Sequence, residues 1–149
     1  MRSAAKSIDI LLIEDDPGDE LLVREVFEHN KFDNRLHVAR DGQEGLDYLY
    51  RRGKFQDAPQ PDLILLDLNL PKYDGRQLLE RFKSDPNLCH IPIVVLTTSA
   101  AHEDVLRSYQ LHANAYVTKP VDLHQFMSAV GQIDEFFVQV VRLPRGKRN

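Results

Sequence analysis

The sequence predicts an α/β fold in which a parallel β-sheet is covered by helices on both faces. Short apolar runs alternate along the 149-residue chain with segments of helical periodicity. Such alternation is typical of βαβ units joined by right-handed crossovers. The run at 63–67 shows almost no alternation of polar and apolar residues, which indicates a strand buried on both faces.

The first predicted strand, residues 8–13, leads directly into the first predicted helix. Asp16 followed by Pro17 is typical of a helix start, because Asp caps free N–H groups and Pro fits the first helical position. Asp19 then falls in the first turn, where a negative charge suits the helix dipole. We therefore interpret Asp16 as a helix cap rather than a metal ligand.

A second strand–helix pair and a polar loop come next. We expect a strand at 36–39, followed by a helix that opens at Asp41 with Glu44 three residues later, the spacing of a capping box. Residues 51–61 are polar and include two prolines, which indicates a loop.

Three further units complete the chain. Their predicted elements are, in order, a strand at 63–67, a helix from 74 to about 85, a strand at 91–96, a helix at 103–111, a strand at 115–118 and a long helix from 122. We expect a flavodoxin-like, doubly wound sheet of five parallel strands in the order 2-1-3-4-5, with five helices of which the last is extended. The domain would span 8–143, between a short N-terminal tail at 1–7 and a basic C-terminal tail at 144–149.

Composition and charge argue against several classes of protein. The formal net charge of −4 is unfavourable for nucleic acid or an anionic membrane as the main partner. The single cysteine, Cys89, excludes a disulfide framework and a cysteine metal cluster. The apolar run at 10–13 lies between acids and is too short for a membrane span or a signal peptide, so we expect a cytoplasmic protein.

Polar side chains follow the predicted strands where each strand ends. Glu14 and Asp15 follow the first strand, Asp67 ends the third, and Thr97 and Lys119 follow the fourth and fifth. In a parallel sheet these ends lie on one rim, where α/β sheets bind their ligands. Three carboxylates on one rim repel one another unless a cation lies between them. Oxygen ligands combined with phosphate chemistry favour Mg²⁺.

This arrangement predicts phosphoryl chemistry at Asp67. With Mg²⁺ bound, Asp67 stays ionised and can attack phosphorus as a nucleophile. Lys119 supplies a positive charge for the phosphoryl oxygens and Thr97 a hydroxyl donor. An Asp after a buried strand is often only a turn former or a cap, and it is the other rim residues that favour a functional role.

Four separate motifs resemble those of response-regulator receiver domains, over roughly residues 8–135. The matching segments are LLIEDDP at 11–17, LILLDLNLP at 63–71, IVVLTT at 93–98 and AYVTKP at 115–120. Each motif alone is a weak signal, whereas four of them in the family's order at predicted strand ends are specific.

The resemblance implies a role for each residue of the acidic rim. Asp67 would be the phosphoacceptor for a sensor histidine kinase. Asp15 would ligate Mg²⁺ directly, Glu14 would hold it through water, and Asn69 would offer its backbone carbonyl. The protein would then be a phosphoacceptor in signalling rather than an enzyme, with only self-phosphorylation and self-dephosphorylation expected.

The resemblance also implies a switch and a phosphate contact. Thr97 and Tyr116 match the family's switch pair, and Lys119 matches its phosphate-binding lysine. Without the motif around it, Tyr116 would be read as a core aromatic residue. On phosphorylation Thr97 would move towards the new oxygens, Tyr116 would follow, and the surface of the fourth helix, fifth strand and fifth helix would repack.

A finer resemblance is to the small single-domain regulators of cyanobacterial and bacterial phytochromes. Its cues are YLYRRG at 48–53, the extra loop to Pro61, LPKYDGR at 70–76 and the long final helix. It implies that the sensor histidine kinase is a phytochrome-type light sensor such as a bacteriophytochrome, and that the signal leaves through a protein surface to an unknown downstream target.

The last predicted helix is unusually apolar near its end. The residues concerned are Phe136, Phe137, Val138, Val140 and Val141. They would cover an edge of the domain itself or form a dimer seam, and of the two we favour a homodimer through the last helix.

Two other functions are compatible with an Asp on such a sheet. A phosphatase of the haloacid-dehalogenase type needs a second acid two residues after its nucleophile, but that position is Asn69. A flavin or nucleotide binder needs a Gly-rich loop after the first strand, whereas this chain has an acidic one at 14–17. Both alternatives are therefore disfavoured.

Overall fold

The computed structural model describes residues 8–28, 34–70, 75–98, 115–119 and 124–125. Its strands form one five-stranded parallel sheet in the order β2-β1-β3-β4-β5, which confirms the predicted order. The strands are β1 (Ile8–Ile13), β2 (Asn34–Ala39), β3 (Leu63–Asp67), β4 (Ile93–Thr98) and β5 (Ala115–Lys119).

Three helices connect the strands within the described residues. They are α1 (Pro17–Glu28), α2 (Gly42–Leu49) and α3 (Gly75–Ser84). The helix predicted at 103–111 lies outside the described residues, as does the extended last helix apart from residues 124–125, which are helical. No helix in the described part of the chain is long and apolar enough to cross a membrane.

The inner strands β1 and β3 are buried on both faces, as the apolar runs at 10–13 and 63–66 predict. Every residue of β1 and of β3 is buried. Alternate side chains point to opposite faces of a strand, and they divide the core into two clusters. One cluster packs on α1 through Val23, Val26 and Phe27. The other packs on α2 and α3 through Leu46, Leu78, Leu79 and Phe82.

Side-chain caps fix where α1 and α2 begin. Asp16 Oδ2 accepts a hydrogen bond from Asp19 N at 3.0 Å, which confirms Asp16 as the cap of α1. Asp41 Oδ1 accepts from Glu44 N at 2.8 Å, as the capping pattern predicts. Glu44 Oε1, however, accepts from Arg40 N at 2.9 Å, one residue before the usual partner of a capping box.

Some element boundaries differ from the prediction. β4 begins at Ile93 rather than residue 91, because Ile91 N donates to Leu88 O at 3.0 Å in the preceding turn and Pro92 has no N–H to donate. β2 begins two residues earlier than predicted, since its first residue Asn34 pairs with Ile8 at the start of β1. The loop at 51–61 contains a short 3₁₀ turn, Gly53–Phe55.

The start of α3 packs directly against the backbone that follows Asp67. Gly75 N donates to Leu68 O at 3.2 Å. A Cβ at position 75 would lie 2.5 Å from Leu68 Cα and 2.7 Å from Asp67 O. Real Cβ atoms do not approach backbone atoms this closely, so only glycine fits unless the helix moves.

Replacing Gly75 by alanine should therefore destabilise the protein. We expect Gly75→Ala to cost roughly 1–3 kcal/mol of unfolding free energy, because the new methyl group meets backbone rather than flexible side chains. Urea unfolding followed by circular dichroism measures this. Gly18→Ala is the matched control, since its Cβ would meet only Asp16 Oδ2 at 3.4 Å. Equal stability of the two variants would contradict the steric argument.

Candidate functional site

The register of the sheet brings the predicted rim residues together. Ile13 is paired with Leu66, so the residues that follow them, Glu14 and Asp67, lie side by side. Thr98 is paired with Lys119 at the end of β5. The acidic loop after β1 therefore faces the ends of β3 and β5, as the parallel topology predicts.

Three carboxylates form a cluster at this rim. Glu14, Asp15 and Asp67 each offer an oxygen, and these oxygens lie within 4.8 Å of one another. Glu14 and Asp67 are 0% and 2% exposed, respectively, whereas Asp15 is exposed. An all-oxygen donor set with one face open to solvent suits a hard divalent cation such as Mg²⁺, so the residues fit the metal that the sequence predicts.

Lys119 is the positive partner of the buried acids. Its Nζ lies 2.9 Å from Glu14 Oε1 and 3.2 Å from Asp67 Oδ2, and it donates to Asp19 Oδ2 at 2.9 Å. Burial disfavours the charged ammonium, but hydrogen bonds to Glu14 and Asp19 and the charge of Asp67 outweigh it and raise the pKa of Lys119. The side chain is therefore a permanent cation at neutral pH.

Glu14 is the carboxylate that burial affects most. Burial raises the pKa of Glu14 to about 7, with a further rise from the nearby Asp67 charge, while Lys119 acts in the opposite direction. Glu14 Oε2 accepts from Asp16 N at 3.2 Å. Apart from its ion pair with Lys119, Glu14 Oε1 has no hydrogen-bond partner among the described residues. A cation at the rim would supply the missing positive charge.

The two oxygens of Asp67 have different partners. Oδ1 accepts from Asn69 N at 3.0 Å, and Oδ2 faces Lys119 at 3.2 Å. The backbone next to it is also fixed, because Leu68 N donates to Leu96 O at 3.1 Å. The carboxylate is thus held from both sides, with a defined orientation towards the acidic loop.

Thr97 and Tyr116 lie on adjacent strands near the rim. Thr97 in β4 is paired with Thr118, and Tyr116 in β5 is paired with Val95. Their backbones are described, but their side chains are outside the described part of the structure. Their roles as a switch pair therefore stay predictions.

Asp19 is the site residue whose contact the sequence did not predict. The sequence predicts only that it lies in the first turn of α1, yet it contacts Lys119 across 100 residues of sequence. One signal was available, since a helix that begins directly after a strand end has its first turn at the same rim.

The chain belongs to the family of response regulator receiver domains. The family model described as "Response regulator receiver domain" matches residues 10–131, which confirms the resemblance carried by the four motifs. Response regulator Rcp1 of Synechocystis sp. is 45% identical over 135 residues, which cover 91% of this chain and 92% of Rcp1.

Solved structures extend the comparison. The bacteriophytochrome response regulator RtBRR is 42% identical with a TM-score of 0.80, over 93% of this chain and 84% of that one. The phosphorylated cyanobacterial phytochrome response regulator RcpA is 43% identical with a TM-score of 0.76, over 93% and 99%. The Mn²⁺-bound form of Rcp1 is 44% identical with a TM-score of 0.74, over 92% and 99%.

These matches confirm the finer likeness to phytochrome-associated regulators. They lend no support to the haloacid-dehalogenase or flavin-binding alternatives. The metal-bound form of Rcp1 and the acidic cluster of this chain agree with the prediction of a divalent cation at the rim.

Mg²⁺ should stabilise the protein more at about pH 8 than at about pH 6. The pKa of Glu14 is raised from 4.5 to about 7 in the folded protein. Between these two pH values the metal-free folded state keeps a proton on Glu14 that the unfolded state has released. Its stability therefore falls as pH rises from about 4.5 to about 7. Mg²⁺ competes with this proton, so its binding strengthens over the same interval.

Thermal unfolding with and without Mg²⁺ at the two pH values measures the effect. In Glu14→Gln the side chain carries no titrating proton, so the Mg²⁺-induced shift in Tm should become nearly independent of pH. An equal shift at both pH values in the unaltered protein would contradict the role assigned to Glu14.

Proposed function

We propose that this receiver accepts a phosphoryl group on Asp67 from a sensor histidine kinase and signals through a surface that changes on phosphorylation. The observation that carries the proposal is the position of Asp67, whose buried carboxylate lies 3.2 Å from the Lys119 ammonium and within the acidic cluster. A nucleophile, a fixed cation and a metal-binding donor set thus share one rim.

The transfer needs little from the protein beyond positioning and charge compensation. A carboxylate oxygen of Asp67 forms a bond to phosphorus, and the P–N bond of a phosphohistidine breaks. The leaving imidazole takes the electron pair of that bond and picks up a proton. Asn69 N orients the Asp67 carboxylate, and the Lys119 ammonium offsets charge on the phosphoryl oxygens.

The metal would be held by residues of the same rim. Asp15 and Asp67 would bind it directly, Glu14 would bind it through water, and Asn69 would add its backbone carbonyl. When bound, Mg²⁺ supplies positive charge next to the transferred group and allows the three acids to ionise together. The support for this assignment is the distance among the carboxylate oxygens.

The partner that supplies the phosphoryl group would be a phytochrome-type kinase. The support is that RtBRR and RcpA are named as response regulators of a bacteriophytochrome and of a cyanobacterial phytochrome, at identities above 40% over most of the chain. The role is signalling, and the chemistry expected of the protein is limited to gaining and losing its own phosphoryl group.

The signal would leave through Thr97 and Tyr116. A phosphoryl group adds about −1.5 to −2 charge at neutral pH, which attracts a hydroxyl donor at the end of β4. The pairing of β4 with β5 puts both residues on neighbouring strands, so a shift of one reaches the other. The surface of the fourth helix, β5 and the last helix would then present a different shape to the downstream target.

We also propose the assembly and the domain limits expected from the sequence. The receiver domain would span 8–143, flanked by tails at 1–7 and 144–149, and it would form a homodimer through the last helix. The support is the apolar character of residues 136–141, which is greater than a solvated helix end requires.

Asp67 should be the site of a single phosphorylation. Incubation with Mg²⁺ and a small phosphodonor such as acetyl phosphate should add the mass of one phosphoryl group, and hydroxylamine should remove it, as expected of an acyl phosphate. Asp67→Asn should show no gain, because an amide is not a nucleophile towards phosphorus. Asp57→Asn, which alters an exposed loop acid, is the matched control. No mass gain in the unaltered protein would reject the proposal.

The dimer proposal predicts a mass of twice the chain in solution. Sedimentation velocity over a range of concentrations should show a dimer, and Phe137→Asp should shift it to monomer because a buried charge opposes association. A concentration-independent monomer mass for the unaltered protein would overturn the dimer but leave the phosphoryl chemistry unaffected.

A further inference from the structure

Lys119 faces more carboxylates than the proposed phosphoryl chemistry uses. An ammonium group has three N–H donors, and three acids lie around Lys119 Nζ at 2.9–3.2 Å, namely Glu14, Asp19 and Asp67. Glu14 and Asp67 also belong to the cluster that fits a metal. Asp19 does not belong to it and has no role in the transfer described above.

A phosphoryl group on Asp67 would bring new oxygens to a lysine whose donors are already engaged. The contact with Asp67 would pass to the phosphoryl oxygens, because an acyl phosphate carries its charge there and not on the carboxyl oxygens. Any further hydrogen bond from Lys119 to the phosphoryl group requires its contact with Glu14 or with Asp19 to weaken. Glu14 is fully buried, so bulk water cannot replace the lysine in its ion pair, and loss of that pair is costly. Asp19 has a side chain that is 28% exposed, so water can replace the lysine at small cost. The contact that is given up most easily is therefore the one to Asp19.

Charge acts in the same direction. Asp19 adds a fourth negative carboxylate beside Glu14, Asp15 and Asp67, and it draws on the single positive charge of Lys119. An incoming dianionic group is repelled by that extra charge and meets a lysine that is held towards α1. Both effects stabilise the unphosphorylated state relative to the phosphorylated one.

We propose that Asp19 is a positioning residue that holds Lys119 towards α1 and thereby opposes phosphorylation of Asp67. The proposal rests on the function proposed for Asp67. Asp19 touches neither the phosphoryl group nor the metal cluster, and it acts only through the lysine. It lowers the stability of the phosphorylated state, because the phosphoryl oxygens compete with Asp19 for the N–H donors of Lys119.

The test uses beryllium fluoride, which mimics a phosphoryl group on an Asp carboxylate in the presence of Mg²⁺. Calorimetric titration of the full chain with beryllium fluoride at saturating Mg²⁺ gives the equilibrium affinity of the protein for this ligand. We expect Asp19→Asn to bind it about threefold to tenfold more tightly, as expected for loss of a partly exposed charged hydrogen bond. Asp19→Glu should return the affinity towards that of the unaltered protein, because it restores the carboxylate.

Asp16→Asn is the matched control, since it removes the same charge three residues earlier in the chain and an asparagine can still cap α1. It should change the affinity by less than about twofold. The increase in affinity for beryllium fluoride that Asp19→Asn causes should also become smaller as the salt concentration rises, because salt screens the charge of Asp19. A purely structural defect would lower the affinity rather than raise it, and Asp19→Ser provides a second variant if Asp19→Asn folds poorly.

The outcomes separate the two proposals. An unchanged or weaker affinity in Asp19→Asn, with binding intact in the unaltered protein, would overturn the role of Asp19 alone. No binding in the unaltered protein, together with no phosphorylation of Asp67, would instead reject the proposed function.

Discussion

The ion pairs of Lys119 are the interaction on which the rim of this receiver depends. Two of its acidic partners, Glu14 and Asp67, are almost fully removed from water. Buried carboxylates of like charge are unfavourable unless a cation compensates them. The lysine provides that cation at the end of β5, and it reaches the ends of β1 and β3 and the first turn of α1. One ammonium group therefore joins four elements, of which β3 and β5 lie far from β1 and α1 in sequence.

The same interaction explains why the rim suits a divalent metal. Burial raises the pKa of Glu14 to about 7 even with Lys119 beside it, so the lysine alone does not fully compensate the acids. The remaining deficit of positive charge is what a divalent metal satisfies. The rim is thus incompletely neutralised by Lys119 alone, which favours the binding of a divalent cation beside the three acids.

Much of the fold could be predicted because its signals are local. The bounds of β1 and β3 agree with the prediction, because the apolar runs at 10–13 and 63–66 are typical of strands buried on both faces and acids mark where they end. The caps Asp16 and Asp41 were equally clear, because capping depends on residues close in sequence. The start of β4 was missed because a turn bond to Leu88 and the missing N–H of Pro92 decide it. The Asp19 contact was missed because it depends on how α1 and β5 meet, which no local pattern records.

The close approach at Gly75 gives the molecule a mechanical asymmetry. On one side of Asp67, the backbone of β3 and the first residue of α3 are in contact with no space between them. The backbone at that junction cannot move towards α3 unless the whole helix moves with it. On the other side lies Lys119 at the end of β5, which reaches Asp67 through a flexible side chain. A bulkier group on Asp67 would therefore find more room to adjust at Lys119 than at the junction with α3.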